Sequence, residues 1–189
     1  MEVQKIHACP NYCILYRDEY EKLDTCPVCD AKRHKIRQND PGDIDGESVK
    51  KKVSKKVPAK VMWYFPIIPR LKRLFRNKDH AKLMRWHKEE RKQDQQMRHP
   101  ADGSQWRNVD RQFPDFDRDP RNIKFGLSID GMNPFGEWGS SHSTWPVTLC
   151  KFNLPSWLCM KRKYILMPAL IQGPKQHVND IDVYLKTVD

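Results

Sequence analysis

The feature that most constrains this chain is a pair of cysteine doublets near its start. Cys9-Pro-Asn-Tyr-Cys13 and Cys26-Pro-Val-Cys29 read as C-x3-C, twelve intervening residues and C-x2-C. A segment this short buries too little apolar surface to hold itself folded and needs an added staple. Two tight hairpins at that separation bring four thiolates around one tetrahedral zinc ion, and the metal supplies the stability that burial does not. Met1 leads into Glu2, Gln4 and Lys5 and not into a basic start followed by an apolar run. No secretory signal is therefore expected, and disulfides are the weaker alternative. A redox pair or plain free thiols form the competing reading. Asp30 stands where a glycine would most easily take the turn after the second doublet. His7 or His34 is an alternative ligand in place of one cysteine. Cys150 and Cys159 have no doublet beside them and read as buried or free thiols.

Charge is the second constraint, because of where it lies. The 189 residues carry a net +11, yet Lys50 to Lys92 alone hold 16 Lys and Arg against three acids, Asp79, Glu89 and Glu90. The rest of the chain has 19 basic and 21 acidic residues, so the whole excess sits in one block. Concentrated positive charge attracts polyanions by neutralising phosphates and releasing counterions. Nucleic acid is the expected partner, through Lys50, Lys51, Lys52, Lys55, Lys56, Arg70, Lys72, Arg73, Arg76, Lys82 and Arg85; a solvated face is the competing reading. The run from Lys50 to Lys56 also has the composition of a nuclear import signal, so the nucleus is the expected location. No stretch approaches the roughly 20 apolar residues a membrane span needs. Mean hydropathy is -0.84 and prolines outnumber glycines 14 to 8, so irregular segments are expected among the regular ones.

The pattern divides the chain into residues 1–36 with the doublets, a basic linker over 37–60, a basic helical and irregular region over 61–122, and a strand-rich segment over 123–189. From Pro69 to about Lys92, Leu71, Leu74, Phe75, Leu83, Met84 and His87 fall near one helical face, with a break expected near Asn77. Residues 93–122 read as an ordered loop that carries Trp106, Phe113 and Phe116. Ile123, Phe125, Leu127 and Ile129 alternate with polar or small residues as in a strand, which puts Asp130 on the opposite face. Trp145–Phe152 and Tyr164–Ile171 read as two further strands. After Gly173-Pro174, Asn179 or Asp180 caps a helix carrying Ile181, Tyr184 and Leu185. A carboxylate at a strand end beside glycine is how two-metal enzymes hold a first ligand, and an ordinary turn aspartate is the competing reading.

Further motifs add to the cysteine doublets: Trp63-Tyr-Phe-Pro66, Ile68-Pro-Arg-Leu71, Leu83-Met-Arg-Trp-His87, Arg98-His-Pro-Ala-Asp102, Asp119-Pro-Arg-Asn122, Asp130-Gly-Met-Asn-Pro-Phe-Gly136, Ser143-Thr-Trp-Pro146, Asn153-Leu-Pro-Ser-Trp-Leu-Cys159 and Asn179-Asp-Ile-Asp-Val-Tyr-Leu185. Together they resemble the transposases of plant CACTA (En/Spm-type) DNA transposons over nearly the whole chain. The resemblance implies an RNase H-like core whose clustered acids bind two Mg or Mn ions for DNA cleavage and strand transfer. Asp130 matches the first of these catalytic, metal-binding acids, while the family's later acids fall downstream of Asp189. Asp180 and Asp182 are not taken as substitutes, because helix first turns carry acids for capping and dipole reasons. The expected fold is thus α+β: a zinc knuckle with Cys9, Cys13, Cys26 and Cys29, a basic helical region, and an incomplete RNase H-like β-β-β-α core. The expected function is that of an N-terminal transposase fragment, inactive alone, with double-stranded transposon ends as partner and self-association as a further property. The alternative is a noncatalytic zinc-containing module, binding nucleic acid or protein, left from a transposon.

Overall fold

The computed structural model describes residues 3–35, 56–133, 143–173 and 181–185. Lys50, Lys51, Lys52 and Lys55, and the cap expected at Asn179 or Asp180, lie outside them. The protein is mixed α+β. Its strands are β1 (Gln4–Ala8), β2 (Lys60–Tyr64), β3 (Phe125–Ile129), β4 (Ser143–Lys151) and β5 (Leu166–Gly173). They form one antiparallel sheet in the order β1-β2-β5-β4-β3. Its helices are α1 (Ile68–Arg76), α2 (Lys78–Leu83), α3 (Trp86–Glu89), α4 (Ser104–Gln112), α5 (Pro114–Arg118), α6 (Ser156–Cys159) and α7 (Asp182–Leu185). Among the described residues no helix is long and apolar enough to cross a membrane.

Several expectations meet a more detailed structure. The helical stretch after Pro69 is three short helices, and the break does fall at Asn77. That residue leaves α1 with extended ψ, and its Oδ1 accepts from the amides of Asp79 (2.9 Å) and His80 (3.1 Å), capping α2. Residues 104–118 are α4 and α5 where a loop was expected; Pro114 at the start of α5 suits a first helical position, which lacks an amide partner anyway. β2 was not anticipated, because Val61–Tyr64 is too short a run to show periodicity. β3 does not bury its apolar face cleanly: it lies at the sheet edge and Leu127 is 51% exposed. Pro168 sits fully buried within β5, and its carbonyl accepts from the Phe65 amide at 2.7 Å. Cys150 and Cys159 are buried free thiols.

Contacts divide the chain into two compact units. The first comprises Phe65–Asp130 and Pro146–Ala169. Its apolar core is Met84, Leu154, Cys159 and Tyr164, with Leu74, Phe75, Leu83, Ile123 and Leu158 packed against it. Beside it runs a buried polar and aromatic cluster. The Asn153 amide donates to the Asn122 carbonyl (2.8 Å) and lies 3.4 Å from His87 Nδ1, while its Oδ1 accepts from the Lys124 amide (2.7 Å). His87 stands edge-on to Trp106, and Trp86 edge-on to both His99 and Trp157. Asp102 accepts from the amides of Arg98 and His99 (both 3.0 Å) and from Arg91 Nη1 (2.7 Å). Burial pushes the Asp102 carboxyl up, but these donors outweigh it and the net shift is downward.

The second unit comprises Val3–Tyr64, Gly131–Trp145 and Leu170–Asp189. β1 pairs with β2 from Gln4↔Tyr64 to Ala8↔Lys60. A small core of Cys9, Ile14, Tyr16 and Cys26 gathers Cys13, Tyr20, Cys29 and Ala31 around it. Tyr184 of α7 is 1% exposed and stands edge-on to Tyr12. Gly131 has Trp145 across it: a Cβ there would come within 2.7 Å of the indole.

Acid should weaken the first unit in a definite window. His87 is 5% exposed, and burial first, then the cations of Lys124 and Lys88, push its imidazolium down to about 4 from 6.5. Its neutral form is the folded form, so the unfolded chain takes up the proton first as pH falls. Stability from this group is intact above pH 6.5 and is lost between 6.5 and 4, to a total of roughly 3 kcal/mol. Urea unfolding at pH 7 and at pH 4.5 should show this loss, and His87→Gln should flatten it; an equal acid slope in that variant would disprove the assignment. His99, also pushed down by burial, acts in the same direction.

Candidate metal centre and nucleic-acid interface

Each cysteine doublet lies in its own tight turn. In the first, the Cys9 amide donates to the Ile14 carbonyl (3.0 Å), the Tyr12 amide to the Cys9 carbonyl (3.0 Å) and the Tyr16 amide to the His7 carbonyl (2.8 Å). In the second, the Cys26 amide donates to the Ala31 carbonyl and the Asp30 amide to the Cys26 carbonyl, both at 2.9 Å. Each turn passes through left-handed backbone, at Tyr12 (φ 66°) and at Asp30 (φ 55°). Asp30 thus does adopt the conformation in which glycine is least costly.

The two turns bring Cys9, Cys13, Cys26 and Cys29 together with all four Sγ atoms within 4.8 Å of one another. Sulfurs bound to a tetrahedral zinc at about 2.3 Å stand about 3.8 Å apart, so this set needs only small adjustment to close on the ion. Cys9 and Cys26 are fully buried, while Cys13 and Cys29 are partly exposed. The Asn11 amide lies 3.3 Å from Cys9 Sγ and the Asn11 side-chain amide 3.5 Å from Cys29 Sγ, as donors that favour thiolate. The Ala31 amide chiefly holds the Cys29 thiol down to about 7, whereas burial raises Cys9 and Cys13. Neither histidine joins the set. His7 Nδ1 accepts from Arg33 Nε at 2.9 Å, and His34 Nδ1 lies 3.5 Å from the Asp24 carboxylate. Among the described residues these four cysteines are the only group of three or more Cys, His, Asp or Glu placed to share an ion. Four cysteines are the chemistry of a structural zinc site, and they could hold that ion.

The expected phosphate ligands separate into three situations. Lys56 is exposed, 3.8 Å from Asp24. Lys82 pairs with Glu90 (3.1 Å) and Arg85 with Glu89 (2.6 Å). Arg70 donates to the carbonyls of Pro66, Phe65 and Met167. Lys72, Arg73 and Arg76 are exposed on α1, a helix whose nine residues include no acid. Lys78, which sequence reasoning did not single out, is exposed one residue past the cap of α1. A shallow trough of about 480 Å³ lies along the helix, lined by Ile68, Leu71, Lys72, Phe75, Arg76 and Ile123.

Asp130 directly follows edge strand β3 and is exposed. Asp182, the first residue of α7, is exposed, and Asp180 lies outside the described residues. No carboxylate cluster fit for two Mg or Mn ions is present among the described residues.

Residues 94–189, just over half of the chain, match the model of the transposase family tnp2. No curated protein and no solved structure matches. The matched segment contains Asp130, whereas the four cysteines and the exposed cations of α1 precede it.

The purified chain should contain about one zinc per molecule by elemental analysis. Because a structural zinc site of this kind contributes on the order of 10 kcal/mol, chelation should abolish amide protection across residues 3–35. Cys26→Ser should do the same, while Asp30→Gly should leave the metal bound and stabilise the turn by about 1 kcal/mol. Full protection in metal-free protein would rule the centre out.

Proposed function

The chain belongs to the tnp2 transposase family, and from that premise we propose that it is the N-terminal part of a DNA transposase of the plant CACTA (En/Spm) type, acting in the nucleus and binding duplex DNA at transposon ends. The match to that family carries the reading, and family membership implies nucleic-acid binding in general. The acid-free α1, with Lys72, Arg73 and Arg76 exposed, supports a phosphate-binding role for this face. Lys56 and the lysines at 50, 51, 52 and 55 extend that role along the chain. The domain plan of the proposal is a zinc knuckle at 1–36, a basic linker at 37–60, a basic region at 61–122 and an incomplete RNase H-like domain from 123. The strand order β3, β4, β5 followed by α7, with the short α6 between β4 and β5, and the position of Asp130 just after β3 support that last assignment.

In this proposal Asp130 contributes one ligand to a two-metal centre, and the other acids come from outside the described residues. One aspartate cannot hold two divalent ions against water and their mutual repulsion. The lack of a carboxylate cluster among the described residues also favours a second reading, a noncatalytic zinc-containing module that binds nucleic acid or protein.

Fluorescence anisotropy with a labelled duplex should show affinity falling steeply with salt. Neutralising Lys72, Arg73, Arg76 and Lys78 should lower the log-log salt slope by about 3 to 4, near 0.9 for each lost phosphate contact. An unchanged slope would place the DNA contact elsewhere. The chain alone should give no magnesium- or manganese-dependent cleavage. Co-expression with a downstream transposase segment should create cleavage that Asp130→Asn abolishes; cleavage indifferent to Asp130 would remove it from the catalytic set.

A further inference from the structure

The unit that carries the four cysteines also buries a cation for which no carboxylate partner exists among the described residues. Lys60 opens β2 opposite Ala8, the residue before Cys9, and is 8% exposed. Its ammonium lies over the face of Tyr12, 2.7 Å from the ring centroid, and Tyr12 stands inside the first cysteine turn. An aromatic face attracts a desolvated cation, but by less than burial of an ammonium costs. The ring alone does not balance that cost. Burial pushes the ammonium down to about 7, and the charge that acts the other way on it is that of Cys9.

The metal centre has the complementary excess. Four thiolates around one divalent ion would carry a net charge of -2 at a half-buried site, where Asn11 offers only neutral amide donors within hydrogen-bonding distance. A buried cation lacking an anion and a half-buried dianion lacking a cation thus occupy adjacent positions on β1, β2 and the turn between Cys9 and Cys13.

We propose that Lys60 is the counter-charge of the four-cysteine centre: held on the Tyr12 ring beside Cys9, its ammonium stabilises the dianionic metal-thiolate set. This rests on the zinc reading given above. Lys60 is a positioning and charge-balancing residue here, not a ligand.

The test uses the full chain, as wild type, Lys60→Met and Lys60→Arg, loaded with zinc or with cobalt(II). Zinc affinity is measured by competition with a chromogenic chelator, the cobalt-thiolate charge-transfer band by absorption, and the stability of the metal-free protein by urea unfolding. Lys60→Met should weaken zinc about 10- to 100-fold, as loss of an outer partner of a metal site does. It should move the cobalt band to longer wavelength, because thiolate electrons lose a stabilising positive charge. It should not destabilise the metal-free protein, since the buried cation it removes has no anion there. Lys60→Arg should keep the band and most of the affinity. Wild-type metal binding with an unchanged affinity and band in Lys60→Met would overturn the role of Lys60 alone. Failure of the wild type to bind metal would overturn the zinc reading and this inference with it. If Lys60→Met does not fold, Lys60→Gln with the same two metal readouts decides.

Discussion

Four thiol sulfurs within 4.8 Å of one another set the central physical constraint on the second unit. As thiolates they repel one another, and a divalent ion among them, which they are placed to hold, would remove that repulsion. Much else in the unit depends on that closure. The left-handed turns at Tyr12 and Asp30 are held by it, and Ile14, Tyr16 and Cys26 gather around it. Tyr12 in turn supports Lys60 on one strand and Tyr184 of α7. The first cysteine turn is thereby in contact with a helix within the segment that matches the transposase family.

The first unit is held by a different device. Its recurrent-looking motifs, Leu83–His87, Arg98–Asp102 and Asn153–Cys159, supply the interior and not the reactive surface. Met84, Leu154 and Cys159 form the core, and His87 with Asn153, and Asp102 with Arg91, satisfy buried polar groups beside it. Such networks are costly when broken, since a buried donor or carboxylate left without its partner loses the full desolvation energy. Asp130 behaves in the opposite way. It is exposed and directly follows an edge strand, outside the buried networks of the unit.

Charge shows why position along the chain is an imperfect guide to function. The block from Lys50 to Lys92 reads as one basic surface, yet its members have different fates. Arg70 turns inward onto three carbonyls, Lys82 and Arg85 meet acids, Lys60 is buried, and Lys72, Arg73 and Arg76 remain on an acid-free helix. Exposed cations with no close acid are the readiest to meet a phosphate. Lys60 went unrecognised in the sequence because it looked like the last residue of a basic linker. The only signal was the apolar run Val61–Tyr64 directly after it, which marks a strand start.

Local chemistry made part of this protein legible from residue order alone. Doublet spacing is enough to specify four converging cysteines, because a tight turn fixes where both members of a doublet point. The Asn77 break, the three strands after Ile123 and the left-handed need at Asp30 are likewise short-range, set by capping, alternation and backbone sterics. Tertiary structure decided what depends on distant partners. α4 buries Trp106 against His87, a partner distant in sequence, and β2 pairs with β1 along its whole length. The exclusion of His7 and His34 from the metal set depends on Arg33 and Asp24 reaching them first. The burial of Lys60 over Tyr12 requires a strand pairing between residues some fifty positions apart, and no local pattern encodes an interaction whose energy appears only once both strands are in place.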